Sequence, residues 1–215
     1  MKLLEQERAL ERERARIAQD LHDDLGSSLT RISLLSDLAR ADKDNPALVE
    51  AHARKLAQSA GQTVRALEEI VWALRPGSDS LQSLVEYIAH FANELFEGDS
   101  ARCRLDLPQD LPARSLPPEM RHNIFLVVKE ALTNAFKHAH AHEVQVRAKA
   151  SARTLEIVVQ DDGLGFEAEA LPPAPGKRQG RGNMRRRAEA MGGTLAVEST
   201  RGKGTLVRLI VNFPA

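Results

Sequence analysis

Apolar residues at helical spacing run through the opening of this chain with almost no interruption, and they narrow what it can become. Leu3, Leu10 and Ile17 stand seven apart with Glu and Arg between them, a heptad seam with charged flanks. The seam continues into RARIAQDLHDDLGSSLTRISLL, residues 14–35, where Ile17, Leu21, Leu25, Ile32 and Leu35 predict an amphipathic helix. At about 100° per residue, His22 falls on the shoulder of that stripe, packed on one side and open on the other. ADKDNP, residues 41–46, stops the helix, and Asn45 as cap with Pro46 at the first helical position starts another at once. This second helix runs to about Arg75, before Pro76-Gly77, with Leu56, Thr63, Leu67, Ile70 and Leu74 as its stripe and His52 in line. Two helices joined by a short turn make an antiparallel hairpin, and a lone hairpin cannot bury both stripes. Two copies forming a four-helix bundle can.

After PGSDS (76–80), a linker signal, Leu81 to Phe96 reads as a further amphipathic helix. The texture then changes. Cys103–Leu107, Val144–Ala148 and Leu155–Val159 alternate as half-buried strands, Glu119–His138 is a strongly apolar helix, and a Gly/Pro-rich loop covers 163–182. A short helix to Met191 and two strands, Thr194–Ser199 and Thr205–Asn212, close the chain. Strands with one polar face, covered by helices, make a two-layer α/β sandwich. The fold expected is therefore α + α/β: a helical hairpin over residues 1–76, then a sandwich over 77–215.

Charge excludes one class of function. Lys plus Arg and Asp plus Glu are both 30, so no basic field recruits nucleic acid, and Arg185, Arg186 and Arg187 read as phosphate balance or a solvated helix face. One cysteine, Cys103, rules out an internal disulfide and fits a reducing compartment. No apolar run reaches the roughly 18 residues of a membrane span. The expected location is the cytoplasm, either for the whole protein or for the cytoplasmic end of a longer, membrane-anchored sensor.

The chemistry-bearing residues sit in four places. His22 is followed by Asp23, and imidazole is a competent neutral nucleophile near neutral pH that an adjacent carboxylate can assist. In EALTNAFKH, Glu130, Asn134 and Lys137 are spaced i, i+4, i+7, so all three are expected on one helix face; carboxylate, amide oxygen and ammonium suit hydrated Mg²⁺ and phosphate. In QDDGLGF a strand ends at Asp161, whose carboxylate can accept from an exocyclic amine, and Gly163 and Gly165 let backbone come close to a flat ligand. Gly180 and Gly182 precede a helix whose N-terminus can receive phosphate, and Gly202-Lys203-Gly204-Thr205 offers amides and a hydroxyl. The HAHAH triplet of His138, His140 and His142 straddles a predicted helix end, which argues against a metal site there.

These segments, in this order, resemble the two-component sensor histidine kinases, specifically the nitrate-sensor-like subfamily. ERARIAQDLHDDLG matches the phosphoacceptor box, EALTNAFKHA the N-box, DDGLGF the first glycine box, and GRGNMRRRAEAMGG with GKGT the lid and second glycine region. The resemblance implies a dimerisation and histidine-phosphotransfer hairpin followed by a Bergerat-type ATP-binding domain. It makes His22 the phosphoacceptor and Asp23 its activator, Asn134 the Mg²⁺ ligand, and Glu130 the residue positioning a metal-bound water. It makes Lys137 and His138 phosphate contacts and Asp161 the adenine-binding carboxylate, with Gly163, Gly165, Gly180, Gly182 and Thr205 shaping the pocket. ATP and Mg²⁺ are the implied cofactors, and a second copy and a response-regulator receiver domain the implied partners. Two other readings stand beside it: a non-catalytic dimeric scaffold with a regulatory nucleotide pocket, and a Bergerat-fold serine kinase. The chain departs from the family at Pro172, Pro173 and Pro175 in the lid. It departs again at Ser27, where relatives carry a longer polar side chain, so weak phosphatase activity is expected.

Overall fold

The computed structural model describes residue 26 and residues 29–74, 79–108, 110–167 and 179–213. His22, Asp23, Ser27, the heptad seam and the lid prolines lie outside the described residues. The chain divides into two units, Met1–Ser78 and Asp79–Ala215.

In the first unit, helix α1 covers residues 29–41 and helix α2 covers Pro46–Leu74. Between them Asn45 caps α2 through its side-chain oxygen, which accepts from the Leu48 amide at 3.3 Å, and Pro46 occupies the first helical position. His52 bonds the Asp42 carboxylate at 2.9 Å and ties the turn to the second helix. Within a single copy the stripe expected on α2 is partly covered. Ser59 and Thr63 are buried, whereas Leu67 is 43% exposed and shares an outward face with Val64 and Val71. Leu34 and Leu38, four apart on α1, are exposed as well.

The second unit is a five-stranded sheet in the order β1-β2-β3-β5-β4, where β1 is Arg102–Asp106, β2 Glu143–Ala150, β3 Thr154–Asp161, β4 Thr194–Ser199 and β5 Thr205–Asn212. Only β1 and β2 run parallel; the other pairs are antiparallel. Parallel neighbours need a crossover, supplied here by α4, Pro118–Asn134, and the turn that continues it. Helices α3 (Leu81–Phe96) and α5 (Gln179–Ala190) pack beside α4.

Alternation decides which face each strand buries. Val144, Val146 and Ala148 on β2, Leu155, Ile157 and Val159 on β3, and Val207, Leu209 and Val211 on β5 form one apolar sheet face. The opposite face mixes apolar residues such as Val158 with polar pairs, Arg147 donating to Gln160 and Arg208 paired with Glu156. Above the buried face, α4 buries Ile124, Phe125, Val128 and Leu132, and α3 buries Leu84, Val85 and Ile88. The Phe125 ring stands 4.7 Å from Tyr87 and 5.5 Å from Phe91, the latter edge-on.

A short clip fastens the start of this unit to the loop before α4. Leu81 donates to the Arg114 carbonyl and Leu116 to the Asp79 carbonyl, while the Ser115 hydroxyl donates to the Asp79 carboxylate at 2.8 Å. Asp79 also offsets the burial that pulls the Arg121 guanidinium below its ordinary pKa.

Phe125 is 1% exposed and touches rings from α3. Phe125→Ala is expected to cost about 3–5 kcal/mol of unfolding free energy in urea titrations. A loss below about 1 kcal/mol would mean that the ring does not hold α3 to α4.

Candidate functional site

The apolar row on the sheet ends in polar residues. Continuing β3 and β5 past the pair Val159–Val207 brings Asp161 opposite Thr205. The core face of the sheet therefore terminates in a carboxylate and a hydroxyl, beneath the last turns of α4. A cavity of about 520 Å³ opens there, within the usual range for small-molecule sites. Glu130, Asn134 and His138 line it from the helix, Asp161, Thr205, Val159, Val197 and Val207 from the strands, and Gly180, Arg181 and Met184 from α5.

Asp161 is 7% exposed. One carboxylate oxygen, Oδ1, accepts from the Gly163 amide at 3.0 Å and from the Thr205 amide at 3.2 Å. Burial raises its pKa; the amides of Gly163 and Thr205 oppose that rise and the neighbouring Asp162 charge adds to it. Asp162, next in sequence, does different work. It is exposed, and its Oδ1 accepts from the amides of Glu143 and His142, which hold its carboxyl below the ordinary range. One carboxylate of the pair is thus turned into the cavity while the other staples the start of β2.

Glu130 and Asn134 come together as their spacing predicts, with the Asn134 amide nitrogen donating to Glu130 Oε1 at 3.1 Å. Lys137 does not join them. Residues Ala135–Ala139 form a π turn, whose i→i+5 bonding rotates each residue by less than the α-helical step. The expected i+7 alignment is lost: Lys137 is exposed and off the cavity wall, and His138, four after Asn134, lines the wall instead. The π turn ends at His140 with φ of +49°. No cluster of three His, Cys, Asp or Glu side chains able to hold a metal ion occurs among the described residues.

The glycines divide into two groups. Gly165 has φ of +55°, and a Cβ there would stand 2.2 Å from the Thr200 carbonyl oxygen, so no other residue fits. Gly180 lies inside the first turn of α5 rather than before it, and a Cβ would meet Glu130 Oε1 at 2.0 Å. The atoms it would meet belong to the movable Glu130 side chain. Gly163 donates to Asp161 and packs over Ala139, whereas Gly182 faces open space and is not part of the wall.

Several residues in and beside the wall had no role assigned from the sequence. Val159 and Val207 were legible as the inward neighbours of Asp161 and Thr205, but only once the register of β3 and β5 is known. Met184 stands four after Gly180, and Ser199 ties the loop together by accepting from the Phe166 amide at 2.8 Å and contacting the Thr205 hydroxyl at 3.0 Å. Arg181 places its guanidinium 4.5 Å over the Phe166 ring.

Two family profiles match the chain. Residues 13–79 match the one described as "Histidine kinase", and residues 120–215 the one described as "Histidine kinase-, DNA gyrase B-, and HSP90-like ATPase". Among relatives, the nitrate/nitrite sensor protein NarQ of Escherichia coli is 31% identical over 95% of this chain and 35% of its own length. The sensor histidine kinases YhcY and LiaS of Bacillus subtilis are 32% and 27% identical, over 98% and 93% of this chain. The chain spans about half the length of those two, 52% and 54% respectively. In fold, the chain is similar to the histidine kinase domain of the Erythrobacter litoralis EL346 blue-light activated kinase, with a TM-score of 0.56 at 20% identity, over 86% of this chain and 94% of that one.

Because burial raises the Asp161 pKa above its ordinary value of 3.8, ionising it opposes folding at neutral pH. That cost is fully present above the raised value and absent below the unfolded one. Asp161→Asn is therefore expected to match or exceed the parent in Tm at about pH 7, with the gain shrinking towards about pH 4. A variant that is less stable at neutral pH and recovers on acidification would show the opposite balance between burial and hydrogen bonding.

Proposed function

Because this chain belongs to the sensor histidine kinases of two-component systems, we propose that it is an ATP-dependent protein histidine kinase that phosphorylates its own His22 and passes the phosphoryl group to an aspartate of a response-regulator receiver domain. Residues 1–76 serve dimerisation and phosphotransfer, and residues 77–215 bind ATP. The observation that carries this reading is the single cavity wall in which a buried carboxylate, Asp161, faces the Glu130–Asn134 pair.

Each end of that cavity suits one end of the nucleotide. Asp161, with one oxygen occupied by backbone amides, accepts the exocyclic amine of adenine, and Val159, Val197, Val207 and Met184 give the flat base an apolar enclosure. Glu130 and Asn134 present a carboxylate and an amide oxygen at the phosphate end, a donor set suited to Mg²⁺ that retains part of its water. Mg²⁺ held there offsets phosphate charge. His138 contacts phosphate, and Gly163, Gly165, Gly180 and Thr205 shape the backbone around the ligand; Lys137 and Gly182, which the resemblance also places there, stand off the cavity wall. A ring nitrogen of His22 attacks the γ-phosphorus in line, a nitrogen–phosphorus bond forms as the bond to the ADP oxygen breaks, and Asp23 takes the proton from the other ring nitrogen.

The exposed faces of α1 and α2 support pairing with a second copy. Leu34, Leu38, Val64, Leu67 and Val71 are 39–64% exposed, more apolar surface than a solitary hairpin keeps in water, and a four-helix bundle covers it. Among the described residues no helix is long and apolar enough to cross a membrane. The segment is proposed to work in the cytoplasm, alone or as the cytoplasmic part of a longer sensor.

With γ-labelled ATP, the parent is expected to acquire label that is lost in acid and kept in base, and His22→Gln to acquire none. Acid-stable label would indicate a serine kinase. Nucleotide binding without any label would indicate a scaffold.

A further inference from the structure

The cavity poses an electrostatic problem that its motif residues do not solve. Among the described residues lining it, the ionisable ones are Glu130, His138, Asp161 and Arg181. Two are carboxylates, which repel a polyphosphate. Lys137, the cation that motif spacing assigns to phosphate, is turned off the wall by the π turn. The one permanent positive charge left on the described wall is the Arg181 guanidinium.

Its placement is specific. Arg181 follows Gly180, which stands against the Glu130 side chain in the first turn of α5, so the guanidinium is carried beside the Glu130–Asn134 pair. The guanidinium lies 4.5 Å over the ring of Phe166, itself a wall residue anchored by its amide to Ser199. A guanidinium that stacks through its face presents N–H groups at its edge, and an edge of this kind suits two phosphate oxygens at once. Stacking also restricts a long side chain before any ligand arrives, which lowers the entropic cost of binding.

We propose that Arg181, oriented by Phe166, is the cation that binds the phosphate chain of the nucleotide in this cavity. The proposal rests on the reading of the cavity as an ATP site and assigns its phosphate specificity to a pair that lies within the glycine-box segments but to which the sequence reading gave no role. Arg181 then separates nucleoside triphosphate from nucleoside, while Asp161 reads the base.

Calorimetric titration of the full chain with Mg·ATP and, separately, with adenosine tests this. Arg181→Gln is expected to weaken ATP binding by about tenfold or more, the scale of a lost charge-assisted hydrogen bond, and to leave adenosine within about twofold. Arg181→Lys keeps the charge without the planar edge and is expected to fall between the two, as is Phe166→Leu. Thermal unfolding of each variant establishes that it is folded. Unchanged ATP affinity in folded Arg181→Gln overturns the proposal, and so does an equal loss for ATP and adenosine, which would make Arg181 a piece of wall. A parent that binds neither ligand overturns instead the reading of the cavity, before any variant is considered.

Discussion

A carboxylate at the end of a buried strand row is costly to keep, and in this chain the surrounding backbone is arranged to keep it. The inward row of β3 runs Leu155, Ile157, Val159 and then Asp161, opposite Val211, Leu209, Val207 and Thr205 of β5. Three pairs are apolar and the fourth is not. At that point the Gly163 and Thr205 amides turn toward one carboxylate oxygen and meet part of the charge that burial would otherwise expel. The glycine-rich loops on either side follow from this. The chain must turn sharply after Asp161 to bring Gly163 back to it, and Gly165 must pass within reach of the Thr200 carbonyl. The cavity exists because the apolar row stops one pair short of the strand ends.

The opposite wall depends on how α4 ends. An uninterrupted α-helix through residue 138 would present Lys137 with Glu130 and Asn134. The π turn over Ala135–Ala139 substitutes His138 and leaves the lysine outside. A permanent charge is thereby exchanged for an imidazole on this wall, and the positive charge comes instead from α5 across the cavity. Gly180, in the first turn of α5, stands against the Glu130 side chain. The site is therefore a joint property of α4, α5 and two strand ends, although each motif within it occupies one element.

Much of this was legible in the sequence where periodicity or cap chemistry speaks. Alternation marked all five strands, the final two to the residue, and the helix over Leu81–Phe96 has the bounds its apolar spacing predicts. Asn45-Pro46 announced the start of α2. Three things were not legible, each for a physical reason. A π turn has no strong residue signature, so the rotation that separates Lys137 from Asn134 is hidden. Gly180 and Gly182 read as a loop because glycine is a poor helix former, yet both lie within α5. The Phe166–Arg181 stack joins residues on either side of a long loop, and nothing local pairs them. The strand end at Asp161 was read from the sequence and its role from the resemblance, while the role of Asp162 in holding the start of β2 needed the register.

The most direct test of a nucleotide site organised on Asp161 is the ATP affinity of the full chain with that carboxylate made neutral and its shape kept. Asp161→Asn preserves an oxygen for the Gly163 and Thr205 amides, so the fold is retained while acceptance from the adenine amine is weakened. Calorimetry is expected to show ATP affinity reduced by about tenfold or more, with thermal stability at neutral pH no lower than the parent's. Undiminished ATP affinity in the folded variant would contradict the assignment and place base recognition elsewhere.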